Sequence, residues 1–356
     1  MLWRARAVRA LSGYEILVIS RIMVPSLKAD LHVHSYHSGY ASHMRFLRAR
    51  DSYSDVFEIY RVARARGMDL VCLTDHDRID GCLEFLDRYP HAPDFLMGEE
   101  IECYLPDAPG LRVHLGAIGV TESIHREVQR LRPNVFETAA YLRSQDVFFG
   151  LNHLFLLYED ELPLERYLQL FMTIAPALET RNGAALAADN RLVEAIAGAW
   201  RASGTPIGVT GGSDAHTLMW VGTTYTEAQA STREEFLVEL RAGRATVGGA
   251  HGGLWRQTSE IYGAIFNYWR ALAGLERHDL PPLRRLGGSA FSIAAMPIQF
   301  VPAAIAARLK MRERRRVARY AHEWERLYIR RNRLRHGFGA QAGVGSANRR
   351  PESELV

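Results

Sequence analysis

The chain has 356 residues, of which 47% are hydrophobic and 24% charged, and its formal net charge is +4. This length allows one large domain of barrel size with an appendage, or two smaller domains. The three cysteines, Cys72, Cys82 and Cys103, form no Cys-x-x-Cys pair, which argues against both a disulfide framework and a thiolate zinc site. We therefore expect a reducing, cytoplasmic compartment.

The N-terminal segment, residues 1–27, is basic and then briefly apolar. Arg21 cuts the apolar run short and no small-residue cleavage site follows, which argues against a secretory signal. We expect translation to begin at Met23. The alternative is a disordered N-terminal extension, and in either case the predicted fold begins at residue 28.

Apolar, β-branched runs alternate with stretches of helical periodicity from residue 28 to about residue 250. We predict strands at 28–34, 69–74, 94–102, 112–120, 147–153, 177–180 and 206–210. We predict helices at 56–66, 134–144, 164–171, 190–202 and 233–242. This alternation is typical of an α/β fold with a parallel sheet. About seven βα units predict a closed or nearly closed barrel.

Polar clusters follow, or end, six of the predicted strands. They are His32/His34, Asp75-His76-Asp77, Glu99/Glu100, Asn152-His153, Glu179 with Arg181-Asn182, and Asp214-Ala215-His216, and His114 lies within the remaining strand. The carboxyl ends of parallel barrel strands converge on one face, where such folds place their active sites. Neutral imidazole with carboxylate is a ligand set for zinc, manganese or iron. The pattern therefore predicts a metal site on this face.

The chain changes character after residue 253. An amphipathic, aromatic stretch at 261–275 is followed by 286–307, which holds no charged residue, and then by an arginine-rich helix to residue 335. We predict a helical extension at 254–336 and a disordered tail at 337–356. The extension could cover the barrel flank, form a homo-oligomer interface, or contact a membrane surface. Pro297 and Pro302 argue against a membrane span.

Six motifs in this order resemble one known family. DLHVHS at 30–35, LTDHD at 73–77, GEEIE at 98–102, VHLGAIG at 113–119, NH at 152–153 and GGSDAH at 211–216 closely resemble the PHP (polymerase and histidinol phosphatase) family. Within it, the chain resembles the stand-alone metal-dependent phosphoesterase branch. The resemblance implies that residues 28–253 form a distorted (β/α)7, TIM-like barrel around two or three divalent metal ions.

The resemblance also implies a role for each motif residue. His32, His34 and Asp214 would hold one ion; Glu100 would bridge to a second ion held by His114 and His153; His76 and His216 would serve a third position or contact the substrate phosphate. Glu99 and Glu102 are expected to point away. The segment Ser38-Gly39-Tyr40 lacks the acid or histidine that often completes the third site. His37 or His43 could substitute, although neither stands at the matching position.

Three further residues are candidates for catalysis or substrate binding. Asp75 could orient His76 or act as a proton donor beside it. Arg181 follows a predicted strand and could clamp a phosphate, or it could be a surface arginine paired with an acid. His251 lies in the glycine-rich stretch 248–253, which could approach a ligand closely or could be a linker that leaves the barrel.

The predicted function is hydrolysis of a phosphate ester of a small metabolite or nucleotide through a metal-bridging hydroxide. The alternatives are an exonuclease that trims short oligonucleotides, with the basic extension as a tether, and a metal-dependent amide or lactone hydrolase. A non-catalytic, membrane-associated scaffold is the alternative from another class of protein. We expect a cytoplasmic protein, and the extension predicts that it can lie at the periphery of a membrane.

Overall fold

The computed structural model describes residues 25–41, 49–158, 162–276 and 280–342, with side chains described up to residue 329 except at residue 109. The proposed start at Met23, His43 and the segment beyond residue 342 lie outside the described residues. The long C-terminal helix runs to Ala342, past residue 336, where the helical extension was predicted to end.

In the described part of the chain, nine strands form one sheet in the order β7-β6-β5-β4-β3-β2-β1-β8-β9. The strands are β1 (Ser26–Asp30), β2 (Leu70–Leu73), β3 (Phe95–Leu105), β4 (Ala108–Ile118), β5 (Phe148–Leu151), β6 (Ala177–Asn182), β7 (Gly208–Gly212), β8 (Thr224–Gln229) and β9 (Thr246–Gly249).

Ten α-helices accompany these strands in the described residues. They are α1 (Val56–Ala65), α2 (Asp80–Arg88), α3 (Glu122–Leu131), α4 (Val135–Ser144), α5 (Leu164–Ile174), α6 (Ala187–Ala202), α7 (Arg233–Arg241), α8 (Leu254–Leu272), α9 (Pro282–Ala294) and α10 (Val301–Ala342). Short 3₁₀ helices lie at Tyr36–Ser38 and Met296–Ile298.

The sheet is mixed, so the parallel sevenfold barrel is not confirmed. Each of the seven predicted strands has a counterpart, whereas β8, β9, α2 and α3 were not predicted. The pairs β3–β4, β4–β5, β1–β8 and β8–β9 are antiparallel. Only residues 106 and 107 separate β3 from β4, and so short a connection can join antiparallel neighbours but not parallel ones.

The barrel is nearly closed where the chain leaves β1 and β7. The backbone N–H of His34 donates to the carbonyl of Ala215 at 3.0 Å, and the N–H of Asp214 donates to the carbonyl of His32 at 2.7 Å. A Cβ at Gly212 would lie 2.6 Å from the backbone nitrogen of His32, so this approach requires glycine. Closure brings the ends of the first and seventh strands together.

Several helices begin at a side-chain cap that the sequence supplies. Asp55 accepts from the N–H of Phe57 at the start of α1, Asn134 accepts from Phe136 before α4, and Thr232 accepts from Glu235 before α7. Such caps satisfy N–H groups that the helix leaves unpaired and are worth about 1 kcal/mol each. They fix the helix starts close to the predicted positions.

The first part of α10 packs against the barrel. Val317 and Tyr320 are each 1% exposed and belong to the largest core cluster. Lys310 Nζ donates to the carbonyl of Ala184 at 2.8 Å, and Glu313 Oε1 accepts from the N–H of Leu186 at 3.0 Å. The extension therefore covers the barrel flank, and it also holds the loop that follows β6.

The described helices include none that by itself is long and apolar enough to cross a membrane. One pair, Pro282–Ala294 with Met296–Ile329, meets the length and composition criteria together but is bent by 55°.

Asp189 in α6 gives the interface with α10 a pH dependence. Burial raises the pKa of its carboxyl to about 7, Glu313 adds to the shift, and Arg316 and Lys310 oppose it. Because the folded-state pKa exceeds the ordinary value of 3.8, the stability that this carboxyl contributes is complete below pH 3.8 and is lost as the pH rises through 7.

We expect Asp189→Asn to match the wild type near pH 4 and to exceed its free energy of unfolding at pH 8 by up to about 4 kcal/mol, because three pKa units correspond to about that amount. Urea unfolding at both pH values measures the difference. Glu194→Gln, an exposed position on the same helix, is the control and should show no such change. A constant difference between wild type and Asp189→Asn at the two pH values would contradict the prediction.

Candidate metal centre

The eight predicted ligands lie together at one end of the sheet. Strand ends or strand interiors supply them: His32, His34, His76, Glu100, His114, His153, Asp214 and His216. His32 and His34 are two residues apart in extended chain, so their rings lie on the same side, with centroids 5.1 Å apart. The residues that the sequence motifs single out are thus close neighbours in space. Their function as ligands stays a prediction.

The nitrogen and oxygen atoms of these side chains form four overlapping groups, each with its atoms within 4.8 Å of one another. The groups are His32/His34/Asp214, His32/Glu100/His153, His76/Glu100/His114 and His34/Asp51/His76/His216. Shared members connect every group to another. Cations held by neighbouring groups would therefore lie next to one another.

Glu100 lies at the centre of the cluster and is fully buried. Its Oε1 lies 2.9 Å from His153 Nε2 and 3.1 Å from His114 Nδ1, and its Oε2 lies 3.0 Å from His76 Nδ1. Burial by itself would raise the pKa of this carboxyl, but the imidazoles of His32, His114 and His76 outweigh burial and hold the pKa well below its usual range. Glu100 is therefore an ionised carboxylate.

The side chains next to Glu100 in β3 point alternately to the two faces of the sheet, as in any strand. Glu99 points to the opposite face, as expected, and binds His125 at 2.9 Å and Gln129 at 2.6 Å. Glu102 was also expected to point away, which is wrong. It lies on the same face as Glu100, with its Oε2 3.7 Å from His114 Nε2.

Buried donor and acceptor atoms of the cluster meet without good hydrogen-bond geometry, which supports the binding of cations. His32 Nε2, His34 Nε2, His114 Nδ1, Asp51 Oδ2 and Glu100 Oε2 are buried and form no hydrogen bond among the described residues, although each lies within 3.5 Å of a carboxylate or imidazole neighbour. Burial and the charges of His216 and His76 lower the pKa of His34 to about 3, which keeps this imidazole neutral, as a metal ligand must be. Nitrogen and oxygen donors without thiolate fit zinc, manganese or iron.

Asp51 belongs to the cluster and was missed by sequence reasoning. Its Oδ2 lies 2.9 Å from His216 Nε2 and 3.5 Å from His76 Nε2. It therefore belongs to the group with His34, His76 and His216, the candidate third metal position that the motifs had left without an acid. His37, one of the two proposed substitutes, pairs with Glu84 at 2.8 Å instead. The only sequence signal for Asp51 is an acidic residue in the polar segment before α1, and that signal has no fixed spacing from the motifs.

A second ring of side chains holds the candidate ligands in place. Glu179 Oε1 lies 3.0 Å from His32 Nδ1, and its Oε2 accepts from the N–H of His153 at 2.9 Å. Asn182 Nδ2 donates to Glu179 Oε2 at 2.9 Å and to Asp214 Oδ2 at 3.2 Å. Such partners fix the tautomer and orientation of an imidazole ligand. Glu179 and Asn182 are positioning residues of the cluster.

Asp75 does not make the contact with His76 that the sequence suggested. Its Oδ1 accepts from the N–H of Ser35 at 2.6 Å and from Ser38 Oγ at 2.7 Å, and its Oδ2 accepts from Ser35 Oγ at 2.7 Å. Ser38 Oγ in turn lies 3.0 Å from His34 Nδ1. Asp75 therefore positions His34 through Ser38, and a catalytic role for it beside His76 is not supported. His76 itself is 30% exposed at the mouth of the cluster.

Arg181 and His251 belong to none of the four groups of the described residues. Arg181 Nη1 donates to the carbonyl of Gly249 at 3.1 Å, and His251 Nδ1 lies 2.9 Å from Asn190 Nδ2. A bulge between Glu179 and Arg181 inserts one extra residue into β6, which turns Arg181 to the face opposite Glu179. Substrate contact by Arg181 or His251 stays a prediction.

Two of the candidate ligands adopt backbone angles that favour glycine. The φ angle is 27° at His153 and 52° at Asp214. Non-glycine residues in this left-handed region cost about 1–3 kcal/mol and persist where surrounding contacts impose them. Both lie at strand ends where the chain turns a side chain into the cluster, so the fold stabilises the strained turns that the cluster requires.

Arg256 comes from α8, beyond the predicted barrel boundary, and contacts the segment that carries Asp214. It is 3% exposed, and its Nη2 donates to the carbonyl of Ser213 at 2.6 Å and to that of Asp214 at 3.1 Å. Its guanidinium lies 4.9 Å from the ring centroid of Trp220. The helical extension therefore supplies a buried positioning residue to the cluster, and no motif in the sequence indicated it.

We expect Arg256→Met to weaken divalent-metal affinity by about 10- to 100-fold, which is the usual effect of removing a side chain that orients a ligand. Methionine keeps the apolar stem but cannot donate to the two carbonyls. Competition with a fluorescent chelator measures the affinity. Arg270→Met, on the same helix at a position where arginine pairs with Glu276, is the control. Equal metal affinity in both variants would exclude the positioning role.

Comparisons with known proteins agree with the motifs. The family model described as PHP-associated (PHP_C) matches residues 190–245. A stretch of 58 residues is 38% identical to a Methanocaldococcus jannaschii protein named uncharacterized protein MJ1587, and it covers 16% of this chain and 33% of that relative. The chain thus spans about a third of the length of this curated relative.

Three solved structures are similar to the chain at low identity. PsfC from Pseudomonas syringae is 18% identical with a TM-score of 0.45, and the match covers 68% of this chain and 98% of PsfC. A candidate metal-dependent phosphoesterase from Bifidobacterium adolescentis is 16% identical with a TM-score of 0.40, and the match covers 60% and 94% of the two chains. An amidohydrolase from Chromobacterium violaceum is 16% identical with a TM-score of 0.42, and the match covers 61% and 97%.

Two features of this chain support a family assignment. The ligand motifs meet in one buried cluster at the strand ends, and the PHP-associated model matches the segment that leads from α6 to β8 and α7. The match to the PHP-associated model, together with the motifs, supports a PHP-domain family for this chain.

Proposed function

We propose that the chain is a hydrolase of phosphoric esters that requires divalent metal ions and acts on a small phosphorylated metabolite or nucleotide. The observation that carries this proposal is the contiguity of the four ligand groups, which share His32, His34, His76 and Glu100. Adjacent cations can bind separate oxygens of one phosphate. Bound divalent ions would supply Lewis acidity and would lower the pKa of a water molecule to near neutrality.

The exposure of the candidate ligands indicates the side from which substrate enters. The side chains of His32, His34 and Glu100 are at most 1% exposed, whereas those of Asp51, His76 and His216 are 23–30% exposed. The buried residues can hold cations but cannot reach a substrate. A phosphate would therefore approach from the side of Asp51, His76 and His216.

Three carboxylates of the cluster are candidate ligands for cations. Burial alone would raise the pKa of Asp214, but the imidazoles of His32, His34 and His216 outweigh it, so both Asp214 and Glu100 are ionised. Asp51 adds a third carboxylate at the mouth, with His216 and His76 holding its pKa low against burial. These carboxylates and the imidazoles around them form a ligand set for cations, so activity should depend strictly on divalent metal.

The experiment is phosphate and nucleotide release by the manganese-loaded protein, with His32→Ala alongside. The panel contains nucleoside 3′,5′-bisphosphates, short oligonucleotides, histidinol phosphate and a generic aryl phosphodiester. We expect turnover of at least one phosphoester by the wild type and none by the variant. Turnover of amide or lactone substrates alone would overturn the phosphoester assignment. Bound metal without any turnover would favour the non-catalytic scaffold.

The oligonucleotide alternative has its own test. Deleting the extension is not a usable test, because the deletion would remove Arg256, Val317 and Tyr320, which are buried in the folded protein. Arg314→Gln with Arg315→Gln changes two exposed residues of α10 instead. We expect this variant to keep its activity on small phosphoesters. A loss confined to oligonucleotides, with a steep dependence on salt, would favour the exonuclease.

A further inference from the structure

The C-terminal helices expose a large apolar surface. We call residues 282–311 the apolar arm; it comprises α9, the 3₁₀ turn Met296–Ile298 and the first turns of α10. Its large apolar side chains are each at least 42% exposed, and Leu283 is 85% exposed; they are Leu283, Leu286, Phe291, Ile293, Met296, Ile298, Phe300, Ile305, Leu309 and Met311. A concentration of exposed apolar side chains of this kind is typical of an interaction site.

The arm is fixed to the rest of the molecule by its opposite face. Gly288 is buried against α8, where an added Cβ would lie 2.7 Å from Leu272 Cδ2. Arg285 Nε donates to the carbonyl of Leu272 at 3.1 Å, and Ala306 is fully buried. The exposed face therefore remains after the arm has made its own packing contacts.

The charge of the arm has one sign. From residue 280 to residue 312 the sequence holds five basic residues and no acidic one. Arg284 precedes the apolar residues of α9, and Arg308 and Arg312 follow Ile305 and Leu309 on α10; all three arginines are exposed. An apolar face bordered by basic side chains is complementary to a bilayer surface that carries anionic lipid.

A second copy of the chain fits this surface less well. A twofold dimer places the same patch against itself, so Arg308 and Arg312 would face their own copies with no acidic residue of the arm to pair with them. Crossing the bilayer is disfavoured by the 55° bend of the only helix pair in the described chain that is long and apolar enough. Lying in the interface requires no straight span.

We propose that the apolar arm docks the protein on the surface of a membrane that contains anionic lipid. The apolar side chains of α9 and the 3₁₀ turn enter the boundary between headgroups and acyl chains, and Arg284, Arg308 and Arg312 contact lipid phosphates. The site of docking is separate from the candidate metal centre, and it does not depend on which reaction that centre performs.

The experiment is co-sedimentation of the full-length protein with vesicles of phosphatidylcholine alone, or of equal parts phosphatidylcholine and phosphatidylglycerol. We expect binding to the mixed vesicles that salt weakens, and much weaker binding to the neutral ones. Leu286→Glu with Ile293→Glu should bind the mixed vesicles at least about tenfold more weakly. Arg308→Gln with Arg312→Gln should bind them about thirtyfold more weakly, since each basic residue near the surface contributes roughly 1 kcal/mol.

Val238→Glu, an exposed apolar position on α7, is the matched control and should bind as the wild type does. Thermal unfolding and metal affinity of every variant confirm that the fold is kept. Absence of wild-type binding to mixed vesicles overturns the proposal. A second result would also overturn it: the protein does not bind vesicles but forms a concentration-dependent dimer, and Leu286→Glu dissociates that dimer. This result would assign the arm to a second copy of the chain. Resistance to alkaline carbonate extraction would overturn docking in favour of insertion.

Discussion

The Glu100→Gln protein should lose activity on its best phosphoester substrate by about a thousandfold or more. The substitution keeps the size of the side chain but removes the negative charge that His32, His76, His114 and His153 surround. Without that charge, the cluster should bind fewer divalent ions. Steady-state kinetics and metal content by mass spectrometry measure the two effects.

Glu99→Gln is a matched control for this prediction. Glu99 is the adjacent residue and is equally buried, but it faces His125 and Gln129 on the opposite side of β3. We expect the control to keep its metal content and most of its activity. If both variants retained metal and turnover, the central role of Glu100 would be wrong.

The second large effect is expected at Asp51. Asp51→Asn removes the only carboxylate of the group formed with His34, His76 and His216. We expect about a hundredfold loss of activity and the loss of one bound ion, while the ions at the two deeper positions remain. Metal content after desalting, together with kinetics at saturating manganese, separates the two losses.

His37→Gln is the control for Asp51, because the sequence offered His37 as a candidate for the same position. Its ring pairs with Glu84 and belongs to no ligand group of the described chain. We expect this variant to bind as many ions as the wild type. The opposite result, with one ion lost at His37→Gln and none lost at Asp51→Asn, would mean that the segment before α1 moves when metal binds.

The sequence by itself determined most of the candidate metal centre. All eight predicted ligands meet in the structure, because residues two apart in extended chain share a face and because strand ends gather at one end of a barrel. The seven predicted strands recur for the same reason, since their periodicity and their apolar runs are local properties. The starts of α1, α4 and α7 follow from local caps as well.

The tertiary structure decided what depends on the path of the chain. Asp51 reaches the cluster from a segment with no fixed spacing to any motif, and Arg256 reaches it from a helix outside the predicted barrel. A single bulge turns Arg181 away, and a two-residue connection makes β3 and β4 antiparallel. Local periodicity cannot report these contacts, because they depend on distant residues, a register shift and the direction of neighbouring strands.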